Sequence, residues 1–185
     1  MSSRLNLYQG PAASFDEPFE MLLACHERVE RMLTLLEKIA DRVKASGVDQ
    51  DCRDAAADVT RYFDLAGPAH HLDEETHVLP LLRTGSAKAQ ALAGQIEQEH
   101  GLMTGQWQAL REDLIHLWQA PTNGDAPFEM TDERLLRWQA FAALYRSHIL
   151  TEESQVFEVV KGQLAPQALQ EMGLEMARRR QDRPE

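Results

Sequence analysis

Two histidine and glutamate phrases recur in this 185-residue chain. The first is Phe63, His70, Glu74 and Glu75, and the second is Phe141, His148, Glu152 and Glu153; in both, the histidine lies 7 residues after the phenylalanine and 4 before the first glutamate. A lone histidine among apolar neighbours precedes each phrase, His26 in Cys-His-Glu-Arg and His100 in Glu-His-Gly-Leu. His26 to His70 spans 44 residues and His100 to His148 spans 48, so the chain reads as two copies of one unit. On a helix, at about 100° per residue, a histidine and a glutamate four apart point to nearly the same side. The phenylalanine 7 residues back lies within roughly 20° of the histidine, which puts the polar groups on the core-facing stripe. Burying imidazoles and carboxylates there is costly unless each is paired or coordinated. Any one of these residues alone reads more readily as a hydrogen-bonded core histidine or a surface ion pair. The matched registers favour a metal site built from His26, His70, Glu74, His100, His148 and Glu152.

Imidazole and carboxylate donors without thiolates suit iron, manganese or zinc. Six donors exceed the needs of one tetrahedral zinc, whereas two carboxylates can bridge a pair of ions and offset their charge. The expectation is therefore two iron ions, each with two imidazoles and both sharing Glu74 and Glu152, with zinc or manganese as substitutes. The register makes Glu74 the inward carboxylate and Glu75 dispensable. His71 with Glu75 repeats the spacing one residue over but turns about 100° from the Phe63 face. His77 and Glu97 are expected outside the ligand set, His116 is expected to be structural, and Trp107 and Trp138 to be core aromatics.

The elements that must carry these residues are helical. Phe19, Leu22, Leu23, Val29, Met32, Leu33, Leu36 and Ile39 recur at three- and four-residue steps. They predict a first helix from about Pro18 to Ala45, capped by Ser14 or Asp16 and stopped by Gly47. A second starts near Asp49 and runs to Leu82 with a kink at Pro68. A third spans Ala87 to Gln119, weakened locally by Gly101 and Gly105. A loop from Pro121 to Pro127 leads to a fourth helix from Thr131 to Lys161, and a short fifth covers Ala165 to Arg178. No run of period-two alternation suggests a strand. The expected fold is all-α: an antiparallel four-helix bundle over residues 18–161, preceded by an arm over 1–17 and followed by a helix and tail over 162–185.

Bulk properties exclude other classes. The formal charge of −11 argues against nucleic acid as a partner, because a polyanion surface needs a basic patch. The sole basic cluster, Arg178 to Arg180, sits where cations complement a helix C-terminus. Met1 to Ala13 lacks the layout of a secretory signal and no segment has the roughly 20 apolar residues of a membrane span, so a cytoplasmic location with no membrane partner is expected. Cys25 and Cys52 show no C-x-x-C spacing and read as packing residues of a reducing compartment.

His26, then His70 to Glu74, then His100, then His148 to Glu152 resembles the metal pattern of the hemerythrin-like (HHE) family. The phrase His-His-Leu-Asp-Glu-Glu-Thr-His-Val-Leu-Pro-Leu-Leu is similar to that family's second helix. The resemblance covers about residues 18 to 161. It implies a four-helix bundle with a carboxylate-bridged di-iron centre that binds or reacts with oxygen, nitric oxide or peroxide. The oxygen-carrying members place two histidines four apart on the third helix, but here position 104 is Thr and position 96 is Ile. That departure moves the likeness from oxygen carriage toward sensing, detoxification or repair of iron centres. Two functions follow as expectations: a di-iron protein handling a small oxidant, with no substrate cleft, or an iron buffer or interaction module without turnover.

Overall fold

A computed structural model describes residues 14–120 and 128–181. Its helices are α1 (Pro18–Ser46), α2 (Gln50–His77), α3 (Leu79–Arg83), α4 (Ala87–Gln119) and α5 (Asp132–Thr151). A π turn, Glu152–Val156, follows α5 and leads to α6 (Phe157–Lys161) and α7 (Pro166–Gln181). The described residues contain no strand. The long helices form the antiparallel four-helix bundle, with α7 as the additional C-terminal helix. The expected arm through residue 13 and the loop from Pro121 to Pro127 lie outside the described residues.

Local sequence explains most boundaries. Asp49 caps α2 by accepting from the Cys52 amide, Ser86 caps α4 through the Ala89 amide, and Thr131 caps α5 through the Arg134 amide. Gly47, at φ 78, ends α1 in a conformation that other residues rarely adopt. The start of α1 departs from expectation. Glu17 occupies the cap position without a side-chain bond, while Ser14 and Asp16 bond to each other in the preceding turn. The second helix runs through Pro68 as expected but differs at its end: it stops at His77 instead of Leu82, with an interruption at Val78, just ahead of Pro80. Pro80 suits the first turn of α3, where no amide donor is needed.

The fourth helix was expected to be continuous and instead contains the π turn, in which the Phe157 amide bonds to the Glu152 carbonyl. In an ideal α-helix a residue five positions on would sit about 140° away from Glu152. The wider turn brings Phe157 back to the inner face, where its ring stacks on His26 with centroids 5.4 Å apart and planes 12° apart. The break at Val78 occupies the matching place in the first half of the repeat, four residues after Glu74 as Val156 is after Glu152. The two valines share backbone angles, φ −96 and ψ −53 against φ −100 and ψ −59.

Two apolar clusters fill the bundle. One gathers Val29 to Val43 of α1, Cys52 to Phe63 of α2, Met103 to Leu117 of α4 and Trp138 to Tyr145 of α5. The other joins Phe19, Met21 and Leu22 of α1 with α3, the start of α4, the Val156 to Val160 segment, and Met172 and Met176 of α7. Along every long helix the candidate histidines and glutamates fall between the residues of the first cluster and those of the second. A polar layer therefore crosses the bundle with a hydrophobic core on either side.

The last helix is part of this fold. Met176 is fully buried, and the buried Asp73 carboxylate takes Arg180 at 2.6 Å and Arg179 at 3.2 Å. At Gly173 a Cβ would overlap the carbonyl oxygen of Phe15, so only glycine lets α7 lie this close to the chain entering α1. Gly94 and Gly105 have open space where a Cβ would stand. Gly94→Ala and Gly105→Ala should each raise unfolding stability by about 1 kcal/mol through helix propensity. Gly173→Ala should lower it, and Met176→Ala should cost about 2–5 kcal/mol by leaving a cavity. Urea titrations check all four, and unchanged midpoints for the last two would show that α7 does not pack on the bundle.

Candidate metal centre

The six sequence candidates converge in the polar layer. His26, His70, Glu74, His100, His148 and Glu152 are all buried, with Glu74 and Glu152 at 0% exposure. They fall into two groups, each able to bring one donor atom per residue within 4.8 Å of the others. His26 and His70 form one with Glu74 and Glu152, and His100 and His148 form the other with the same two glutamates. Glu74 presents a different oxygen to each group: Oε1 lies 3.2 Å from His70 Nε2 and 3.8 Å from His26 Nε2, while Oε2 lies 3.5 Å from His100 Nε2. Glu152 Oε2 sits between His26 Nε2 at 3.1 Å and His148 Nε2 at 3.3 Å. Both carboxylates thus lie on the boundary between the groups.

Buried polar atoms in proteins are normally hydrogen-bonded. Here Nε2 of His26, His100 and His148 and both carboxylate oxygens of Glu74 and Glu152 are buried without a hydrogen-bond partner. A cluster of inward lone pairs with nothing to satisfy them is costly unless a cation or protons supply the missing charge. The donor set fits divalent cations of the iron, manganese and zinc class.

The outer nitrogens are held. His26 Nδ1 lies 2.9 Å from Glu153, His100 Nδ1 2.9 Å from Glu75, and His148 Nδ1 2.8 Å from Glu99. An ionised carboxylate only accepts, so each Nδ1 carries a hydrogen and each Nε2 is turned inward, where it can face a cation once any proton it holds has left. These contacts orient the rings and raise their basicity toward a cation. Glu75, expected to be dispensable, is in fact one of these supports. It turns about 100° from Glu74 and so reaches the neighbouring helix α4.

Position 71 also departs from expectation. His71 is buried and can join His100 and His148 in a third group of potential ligands, with its ring stacked on His100 at 4.0 Å and 9°. Other neighbours lie elsewhere. His77 Nε2 contacts Glu175 at 3.1 Å and Arg179 at 2.9 Å beneath α7. Glu97 pairs with Arg83, His116 packs against Phe128, and Trp107 and Trp138 donate to Asp64 and Asp113 from the apolar cluster.

A family model described as the hemerythrin HHE cation-binding domain matches residues 17–160. This chain belongs to that family. It is also 31% identical over 169 residues to an uncharacterized protein of Haemophilus influenzae, a match covering 91% of this chain and 93% of that protein. Membership of a cation-binding family and the His/Glu groups together make this hemerythrin HHE domain a metal-binding one.

Electrostatics describe the metal-free site. Burial alone would lower the His26 pKa, but the Glu152 and Glu74 carboxylates outweigh it and raise it to about 10. Burial, then the charge of Glu74, pushes Glu152 upward. Burial drives His70 down to about 3, and lowers His71 and His148 as well. Protons on His26 and Glu152 hold part of the charge a cation would bring, so metal loading at neutral pH should release protons, measurable by calorimetry in buffers of different ionisation enthalpy. The depressed histidines bind protons less readily folded than unfolded. The stability they contribute is present above the ordinary value of 6.5 and is lost as pH falls toward 3 for His70. The raised His26 acts oppositely, its contribution being lost as pH rises from 6.5 through about 10. Urea midpoints of metal-free protein should therefore decline on both sides of neutrality. Glu75→Ala or Glu153→Ala should weaken metal binding roughly 10- to 100-fold with the helical fold retained. Unchanged metal titrations would remove their assigned role.

Proposed function

We propose that this hemerythrin HHE domain holds two iron ions bridged by Glu74 and Glu152 and that it binds or reacts with a small oxidant: oxygen, nitric oxide or peroxide. His26 and His70 would hold one ion and His100 and His148 the other. The observation that carries the reading is the pair of donor groups sharing both buried carboxylates, with inward nitrogens and oxygens that have no other partner. Bound iron would supply redox chemistry toward a diatomic ligand. The chain's own part is to orient the imidazoles through Glu75, Glu99 and Glu153 and to keep the layer dry between two apolar clusters. No described helix is long and apolar enough to cross a membrane. The expected cytoplasmic setting, with its reductants, suits a site that must be returned to the ferrous state.

The test is the visible spectrum of anaerobically iron-loaded, reduced protein before and after mixing with oxygen or nitric oxide, and again after the gas is removed. A charge-transfer band that reverses supports binding and sensing, and one that persists supports consumption of the oxidant. Glu74→Ala should lower bound iron and abolish the band. Two irons retained with no spectral response would overturn the oxidant reading in favour of an iron buffer.

A further inference from the structure

The repeat pairs His26 with His100, His70 with His148 and Glu74 with Glu152, so each half can be checked against the other residue by residue. Glu75 and Glu153 answer each other and make the same contact, 2.9 Å to Nδ1 of the lone histidine on the neighbouring helix. Two differences between the halves bear directly on the donors. Glu99, which holds His148 Nδ1 at 2.8 Å, is answered by Cys25, a buried free thiol. His70 Nδ1 is accordingly buried with no hydrogen-bond partner. Ile149 is answered by His71, whose Nε2 is also buried and unpartnered. That imidazole belongs with His100 and His148, not with His26 and His70.

Both differences favour the same half. The His100 and His148 group has a carboxylate behind each ring and a further imidazole beside it. The His26 and His70 group has one supported ring, one unsupported ring and no third histidine. A thiol accepts hydrogen bonds weakly and brings no charge comparable to a carboxylate. Carboxylate support strengthens a histidine ligand, so the asymmetry becomes a difference in affinity. A groove of about 450 Å³ between α1 and α5, lined in part by His26, Glu30, Arg146 and Glu153, reaches the less supported half from solvent.

We propose that the two cation positions are unequal: His71 serves as a third imidazole for the ion at His100 and His148, which is held tightly, while the ion at His26 and His70 is exchangeable. This rests on the two-ion reading of the site. The difference is built into the chain by Cys25 and His71 and needs no change of fold. It gives the domain one position that stays filled and one that can load and unload.

The test is a zinc titration of metal-free protein by calorimetry, with zinc per chain counted independently. Two ions should bind in separate steps whose dissociation constants differ roughly 10- to 100-fold. His71→Phe keeps a ring against His100 but removes the nitrogen, and should weaken the tighter step alone. His70→Ala should abolish the weaker step and leave the tighter one, which keeps the question answerable if His71→Phe does not fold. Two ions binding with equal affinity would overturn the inequality, and an unchanged tight step in folded His71→Phe would overturn the role of His71. Binding of no zinc would instead overturn the two-ion reading itself, and this inference with it.

Discussion

Everything in this domain is arranged around the cost of burying charge. Glu74 and Glu152 are wholly excluded from solvent, within 4 Å of imidazoles on other helices, in a layer with apolar side chains above and below. Two carboxylates in such a layer cannot both stay ionised without counter-charge. In the metal-free chain the counter-charge comes from protons, which is why His26 and Glu152 are pushed upward together. Cations do the same job with more charge and with donor geometry that fixes four helices at once. Metal binding at this layer is therefore coupled to the stability of the fold.

That constraint also fixes the lengths of the helices. An antiparallel pair brings its donors to one level only if the chain runs equally far out and back. From His26 to the end of α1 is 20 residues, and from the start of α2 to His70 is again 20. In the second half α4 continues 19 residues beyond His100, and α5 begins 16 before His148. The longer spacing in sequence, 48 against 44, is therefore taken up outside the helices, between Gln119 and Asp132. Beyond the layer the two halves distort at the same place, Val78 and Val156, so that the chain can keep the glutamate inward and still bury the next residues.

The bundle, its helix ends and the convergence of the six candidates were legible in the sequence because they depend on periodicity, caps and spacing. The interruptions were not. The helix continues through Pro68, while a break falls at Val78 beside Pro80, where the sequence predicts a helix running on to Leu82. The π turn over Glu152–Val156 contains neither glycine nor proline, and follows from the need to bring Phe157 over His26. Such a turn is set by tertiary packing, and the local residues carry no signal of it.

The roles of Glu75 and His71 were hidden for a different reason. On a helix with one inner face, a residue about 100° from the histidine stripe points away from the site. In a four-helix bundle every helix has two neighbours, and a side chain turned that far from the axis can still meet the adjacent helix. Glu75, Glu99 and Glu153 do so, each reaching an imidazole across a helix boundary. His71 does so as well, entering the site beside His70 instead of replacing it. Adjacent residues on one helix therefore serve the same site from two directions: one points into the layer, while the next supports or supplements a donor on the neighbouring helix. The doubled phrases His70-His71 and Glu74-Glu75 carry that signal, because the two registers act together and are not alternatives.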